Sequence, residues 1–382
     1  MKILVISHSA VLADYQERFS QLVHLGGVEL TLLVPRRWRQ FNRMIELEKT
    51  DDPDYRIISR QPFTWGLKSH GLKNASHFYP GIKKIIREIQ PDLIEIWEEP
   101  FSAVTAHTIW AARRACPGAK IIFFSAQNIS RRYPPPFSLF ERYTYRNADY
   151  AFVINSETSA IIRERGWDKS SLVLPLGVNP AQFKKSDESL LRRRLGLNGF
   201  TVGFVGKLEK QKGVIGLVEA IAGLSNPVHL LLIGDGPEKE EVIAAAEKQG
   251  ISQRVIMLDS IDHRELPHYL NCMDILVLPS LTLPHLKEQF GRVLIEAMSC
   301  EVPVIGSDSG EISNVIGEGG LIFPEGNIDA LRKRIIRLME NPGAAEQFGR
   351  RGRERVKGKY SWSVIAGRQI DAYSKIRGGG SK

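Results

Sequence analysis

Gly203-Phe204-Val205-Gly206-Lys207-Leu208-Glu209-Lys210-Gln211-Lys212-Gly213 opens on the end of an apolar run that begins at Val202. Short and rich in residues that suit a pleated surface, the run reads as a strand ending at Gly206. A loop carrying Lys207 and Lys212 follows, and a helix is expected to start at Gly213.

Outward from this stretch the same sequence of events recurs. Short β-branched runs fall at 2–6, 28–34, 56–59, 92–97, 120–124, 150–154 and 172–174, then at 202–205, 229–233, 255–258, 275–278, 302–305 and 321–323. Most are continuously apolar and do not alternate, as strands are when both faces of a parallel sheet are covered. Amphipathic stretches such as 80–89, 237–249 and 328–340 lie between them. The expected fold class is therefore α/β, with two Rossmann-like, doubly wound parallel-sheet domains. The segment 177–198, with Pro180 and a basic run at Arg192-Arg193-Arg194, reads as the boundary. Domains over 1–180 and 181–360 are expected, with a last helix in 361–378 packing back on the first.

Bulk properties narrow the class. At 382 residues the chain has room for two cores. With 43% hydrophobic and 25% charged residues it has an ordinary globular composition. No run is long and apolar enough to span a bilayer, and Met1-Lys2-Ile3-Leu4-Val5-Ile6 is too short for a signal peptide. It reads as a first buried strand, and a cytoplasmic protein is expected. Cys116, Cys272 and Cys300 stand far apart in no metal-ligand spacing, so neither a disulfide framework nor a zinc site is expected. The net charge of +9 suits polyanions, anionic lipids or phosphorylated ligands and does not choose among them.

Parallel sheets bind ligands where strands lead into helices at their carboxyl ends. Three such places stand out in the second half. In the first, Lys207 and Lys212 lie beside a helix N-terminus whose N–H groups are unpaired, which suits a diphosphate. A lysine-rich surface loop has the same composition. The second is Glu288-Gln289-Phe290-Gly291-Arg292-Val293-Leu294-Ile295-Glu296-Ala297-Met298. Here Gly291 lets a helix begin close against a ligand. Glu296, set among Ile295, Ala297 and Met298, is costly to bury without a hydrogen-bonding partner such as a ribose diol. It reads equally as a solvent-facing helix residue. The third, Gly234-Asp235-Gly236-Pro237-Glu238, reads as a binding turn or a plain structural one.

In this order and spacing the three segments resemble the C-terminal domain of family-four retaining glycosyltransferases, which have the GT-B fold. Glu288 and Glu296 match that family's pair of glutamates separated by seven residues, followed by Ala297-Met298 and Pro303-Val304. Supporting matches are Pro175-Leu176-Gly177-Val178-Asn179 with Phe183, Gly234-Asp235-Gly236-Pro237, Leu278-Pro279-Ser280, Gly310-Glu311 and Tyr360-Ser361-Trp362. The resemblance implies transfer of a sugar from a UDP- or GDP-sugar donor with no cofactor and no metal. It places Lys212 at the family's invariant lysine and Lys207 where arginine is usual, a change that loses a fork but keeps the charge. Both would hold the diphosphate. Glu288 would contact the donor sugar, with Phe290 and Gly291 near it, and Glu296 the ribose. Gly206, Ile261, Arg292 and Val293 would complete the nucleotide contacts, the base lying beside Ser260 and Ile261.

The first half departs from the family. Ser7-His8-Ser9 stands where a glycine-rich loop is frequent, and Gln127 with Asn128 fills a slot that often holds histidine. His8, Gln127, Asn128, Arg131 and Arg132 are the candidate acceptor contacts, the acceptor being a carbohydrate, lipid-linked or other hydroxyl compound. No clustered His/Asp set suited to a catalytic cation is expected from the sequence. The lysines and helix N–H groups would instead neutralise the leaving diphosphate. A glycoside hydrolase is the poorer reading of the two carboxylates, because Glu296 lies inside a helix and the lysine loop would have no role. A sugar-nucleotide epimerase of the same architecture and a non-catalytic nucleotide-sugar-binding subunit remain alternatives. Interleaved basic and aromatic residues at 36–43 and 65–78 suit an anionic membrane surface or a solvated loop. No nucleic-acid partner is expected.

Overall fold

A computed structural model describes residues 1–40, 43–48, 54–65, 75–225 and 228–378. The chain forms two compact units, Met1–Pro175 with Trp362–Lys382, and Leu176–Ser361.

The first unit is built on a parallel sheet in the order Ser171–Val173, Tyr150–Val153, Lys120–Ser125, Leu93–Ile96, Lys2–Ile6, Glu29–Pro35, Arg56–Arg60. In chain order these strands run outward from Lys2–Ile6 to one side and then, from Leu93–Ile96, to the other. The order reverses between those two neighbours, where Ile3 lies opposite Leu93 and Ile6 opposite Ile96. Apolar residues of both strand faces are buried, so the sheet carries a core on each side. One core takes Ile82, Ile85, Ile86 and Ile89 of the helix Ile82–Ile89, an apolar stripe at helical spacing. The other takes Phe19 and Leu22 of Ala13–Gly26 together with Trp362, Ile365, Ala366 and Tyr373 of the last helix, Trp362–Arg377.

A charged residue lies inside this second core. Glu95, in the middle of Leu93–Ile96, is fully buried. Its carboxylate accepts hydrogen bonds from Arg18, Gln369, the Tyr373 hydroxyl and the Trp97 indole. Such burial is tolerable only because partners surround the charge.

The second unit repeats the plan with the order Val255–Leu258, His229–Ile233, Thr201–Val205, Ile275–Leu278, Val304–Ser307, Gly320–Phe323. All its pairings are parallel, and the reversal falls between Thr201–Val205 and Ile275–Leu278, with Val202 opposite Ile275. The segments by which the chain enters and leaves this unit are bonded to each other, the Val178 N–H donating to the Tyr360 carbonyl at 2.9 Å. Both sheets are thus Rossmann-like, as the apolar runs imply.

Truncating one partner of a buried charged group leaves the rest unpaired. Glu95→Ala should therefore lower stability by about 3–5 kcal/mol, and Tyr373→Phe by about 1–3 kcal/mol. Urea denaturation of each variant checks both values. A Glu95→Ala loss below that of Tyr373→Phe would show that the carboxylate is not the hub.

Candidate functional site

At each reversal of strand order the loops leave in opposite directions and open a crevice at the carboxyl edge. In the second unit the crevice lies between the loop after Thr201–Val205 and the loop after Ile275–Leu278. The first loop holds a single turn, Lys210–Lys212, and ends at Gly213, whose φ of 65° begins the helix Val214–Ala222. A Cβ on Gly213 would stand 2.2 Å from the Pro279 carbonyl oxygen, so only glycine lets the two loops approach this closely. The Leu281 N–H then donates to the Gln211 carbonyl at 2.6 Å and ties the loops together.

This contact brings Lys212 to Glu288. The ammonium donates to the carboxylate at 2.6 Å, and the Ser280 hydroxyl donates to the same oxygen at 3.0 Å. Glu288 is buried. Burial pushes its carboxyl up, but Lys212, Ser280 and the Phe290 N–H outweigh this and hold it below the usual carboxylate range. Gly291 follows with a φ of 77° and caps the helix Arg292–Ser299, so the helix begins four residues after the carboxylate. Glu296 occupies its second turn and is buried, not solvent-facing. Its Oε1 is 2.9 Å from Arg292 Nε and 2.8 Å from Nε2 of His263, which comes from the loop after Val255–Leu258. Burial raises the Glu296 carboxyl, and Arg292 and His263 bring it below the usual range.

Lys207 stands apart from this group. It is exposed and pairs with Glu209 at 2.6 Å. The turn at Gly234 to Glu238 braces the lysine loop: Leu208 donates to the Asp235 carbonyl and Glu238 to the Leu208 carbonyl, both at 3.0 Å. Ile261 lies half-buried two residues before His263.

The first unit places a second group at its own reversal point. His8 is two residues beyond Lys2–Ile6 and Glu98 two beyond Leu93–Ile96. The His8 N–H and Nδ1 both meet the Glu98 carboxylate, at 2.8 and 2.6 Å. The short hairpin Arg37–Gln40 with Arg43–Glu46 lays Trp38 against His8 and His77, ring centroids 4.9 and 4.8 Å away. Trp38 is therefore buried while Arg36, Arg37 and Arg39 face outward, so this aromatic is not offered to a membrane surface. Phe41, Asn42, Lys68 and Lys73, which belong to the same expectation, lie outside the described residues.

His8, His77 and Glu98 have donor atoms within 4.8 Å of one another, a potential metal-ligand set drawn from three distant segments. The sequence expectation of no such cluster is corrected here, because spacing along the chain does not reveal it. The His8–Glu98 distance is nonetheless that of a hydrogen bond, below the ~3.3 Å between two donors on a tetrahedral zinc. Burial pulls the His8 ring down, and Glu98 more than offsets it, leaving His8 above its ordinary value. For Glu98, burial raises the carboxyl and the two imidazoles bring it below the usual range.

Next to it, Glu99 accepts from the Ser125 hydroxyl at 2.7 Å and the Ala126 N–H at 2.9 Å. Burial, with the charges of Glu98 and Glu141 adding to it, pushes Glu99 up to about 7. The loop that follows Ala126 is pinned along its length. Gln127 donates to the Ile129 carbonyl, Asn128 is buried, the Arg131 carbonyl accepts from Arg165, and Tyr133 stacks on Phe101. The side chains of Arg131 and Arg132 are exposed.

Two Rossmann-like units, each with charged groups at its reversal point, define a GT-B architecture. Residues 188–355, within the second unit, match the family described as Glycosyl transferases group 1. A 2-deoxystreptamine glucosyltransferase of Streptomyces kanamyceticus is 24% identical over 269 residues, 67% of this chain and 68% of that protein. Across the relatives that follow it, the chain spans about half of their length. Sucrose-phosphate synthase of Thermosynechococcus elongatus has the same fold over 100% of both chains, with a TM-score of 0.77 at 21% identity. The Anabaena protein HepE in complex with UDP has it over 98% of this chain and 100% of that one, with a TM-score of 0.75 at 18% identity.

An NMR titration of the imidazoles reads the His8 pairing directly. His8 should titrate above the ordinary histidine value of about 6.5, because the raised value reflects the Glu98 carboxylate. Glu98→Gln removes that charge and should move the titration down. An unmoved His8 would show that Glu98 does not control it.

Proposed function

We propose that this chain is a retaining glycosyltransferase that moves a sugar from a UDP- or GDP-sugar to an acceptor hydroxyl, in glycan, polysaccharide or glycolipid biosynthesis. The observation that carries the reading is the convergence of Lys212, Glu288 and Ser280 at the reversal point of the second unit, with buried Glu296 in the second turn of the helix that follows. The UDP held by HepE favours a uridine donor.

In this reading Lys212 and Lys207 bind the donor diphosphate, with the backbone of Gly206, Arg292 and Val293. Glu288, fixed by Lys212 and Ser280, meets the hydroxyls of the donor sugar beside Phe290 and Gly291. Glu296 takes the ribose hydroxyls and Ile261 flanks the base. As the glycosidic bond to phosphate breaks, negative charge grows on the diphosphate. Lysine charge and the N-terminal amides of Val214–Ala222 and Arg292–Ser299 stabilise it, which is the work a divalent cation does elsewhere. The acceptor hydroxyl attacks on the face the diphosphate leaves, and a phosphate oxygen takes its proton. Configuration is therefore retained, and Glu288 positions the sugar without becoming a nucleophile.

His8, Gln127, Asn128, Arg131 and Arg132 serve the acceptor, a carbohydrate or lipid-linked hydroxyl compound. The exposed Arg131 and Arg132 suit an acceptor bearing a negative group. Exposed Arg36, Arg37 and Arg39 suit peripheral contact with anionic headgroups on a cytoplasmic membrane face. Among the described residues no helix is long and apolar enough to cross a membrane.

Charge-assisted hydrogen bonds contribute roughly 1.5–3 kcal/mol each. Lys212→Ala should thus weaken UDP or GDP binding by about one to two decades, measured by calorimetry. An unchanged affinity would remove Lys212 from the diphosphate site. The stereochemical expectation is an α-linked product from an α-linked donor, read from the anomeric coupling in proton NMR, and a β-linked product would overturn the mechanism. Conversion of a donor with no acceptor present would favour an epimerase instead.

A further inference from the structure

The second unit contains a histidine bonded to the buried carboxylate of Glu296. His263 lies in the loop after Val255–Leu258, two residues beyond Ile261. Its neighbours on the chain lock the loop. The Asp262 carboxylate accepts from the Arg264 N–H at 2.9 Å, from its Nε at 3.1 Å and from its Nη2 at 2.7 Å. The imidazole rests against the Phe183 ring, centroids 5.1 Å apart. With the loop closed on one side and an aromatic ring on the other, Nε2 reaches Glu296 Oε1 at 2.8 Å.

The same oxygen lies 2.9 Å from Arg292 Nε as an ion pair, so His263 is the hydrogen-bond donor to Oε1 and Arg292 a neighbouring charge. Among the described residues Oε2 has no hydrogen-bond partner. Turning the carboxylate about its terminal bond breaks the hydrogen bond from His263 and separates Oε1 from the Arg292 charge. The orientation of Oε2 is therefore fixed before any ligand arrives, as preorganised recognition requires.

We infer that His263 is a positioning residue of the nucleotide site, which holds Glu296 Oε1 so that Oε2 is presented to the ribose diol and thereby selects ribonucleoside over 2′-deoxyribonucleoside diphosphates. The inference rests on the donor-site reading above. Arg292, one turn away on the same helix, contributes charge at 2.9 Å without an Nε hydrogen bond and so sets no direction for the carboxylate. His263 approaches from a separate element and supplies the fixed point. A site whose carboxylate is aimed at a hydroxyl rejects the analogue that lacks it, whereas a carboxylate free to turn compensates.

Isothermal calorimetry with UDP, 2′-deoxy-UDP, GDP and 2′-deoxy-GDP tests this on the full chain. Wild type should prefer the ribonucleotide of its own base by roughly tenfold or more. In His263→Ala the ribonucleotide should lose about tenfold in affinity and the deoxynucleotide far less, so the preference falls to about two- or threefold. His263→Gln, whose amide can donate to the same oxygen, should restore most of it. Lys212→Ala should weaken both nucleotides equally and leave the preference unchanged. A wild-type preference retained in His263→Ala overturns the inference while the donor site stands. If the wild-type chain binds none of the four nucleotides, the donor-site reading fails and this inference fails with it. Thermal unfolding of His263→Ala within a few degrees of wild type, against a collapsed preference, separates positioning from loss of fold.

Discussion

The buried carboxylate of Glu95 is the constraint on which the first unit turns. Apolar faces alone allow a helix to shift along a sheet at modest cost, because one methyl group replaces another. A charge at the centre of Leu93–Ile96 removes that freedom: it must be met by Arg18, Gln369, Tyr373 and Trp97 together or remain unpaired in a dry core. The helix Trp362–Arg377 is thereby fixed in position against Ala13–Gly26, although over 300 residues separate them in sequence. The same strand ends two residues before Glu98, so the anchor that fixes the helix also fixes one side of the His8 pairing. Fold and site draw on one strand and the loop after it, Glu95 serving the core and Glu98 the His8 pairing.

Both units use the same topological device and load it with different chemistry. In each sheet the strand order reverses once, and the two loops at that point diverge. The second unit puts a lysine–carboxylate pair and a helix N-terminus there, a hydrogen-bond-rich setting suited to phosphate. The first unit puts an imidazole–carboxylate pair there, clamped by Trp38 and His77, with Glu99 held near neutrality on the adjoining loop. A hydroxyl group suits the His8–Glu98 setting of the first unit better than a diphosphate does.

Much of this was legible in the sequence because it is local. Continuous apolar runs placed the strands of both sheets, since a strand covered on both faces tolerates few polar residues. Lys212, Glu288 and Glu296 could be singled out because each lies within a few residues of a strand end or helix start. Their pairing could not: Lys212 meets Glu288 only because Gly213 lets its loop touch the Pro279 carbonyl, a contact across 66 residues. His263 was missed for a similar reason. It sits in a loop of ordinary composition, and only the folded path brings it to Glu296. His77 and Glu98 carried no signal at all, being single residues on separate segments, one in a two-residue strand and one beside another glutamate. Trp38 was misjudged because a basic, aromatic stretch looks like a surface. The hairpin alternates its faces and turns the indole inward while the arginines stay in solvent.

The division of the chain sets an order of events during synthesis. Residues 176–361 form the second unit without interruption, whereas the first unit needs Trp362–Arg377 to close its core. A ribosome adding about 5–20 residues per second therefore takes roughly 10–40 s between finishing Pro175 and supplying the last helix. Over that interval Phe19 and Leu22 lack their covering residues, and Glu95 has only Arg18 and Trp97 beside it. The part made first is completed last. The unit made in between is continuous and has its whole sheet available before the first one closes.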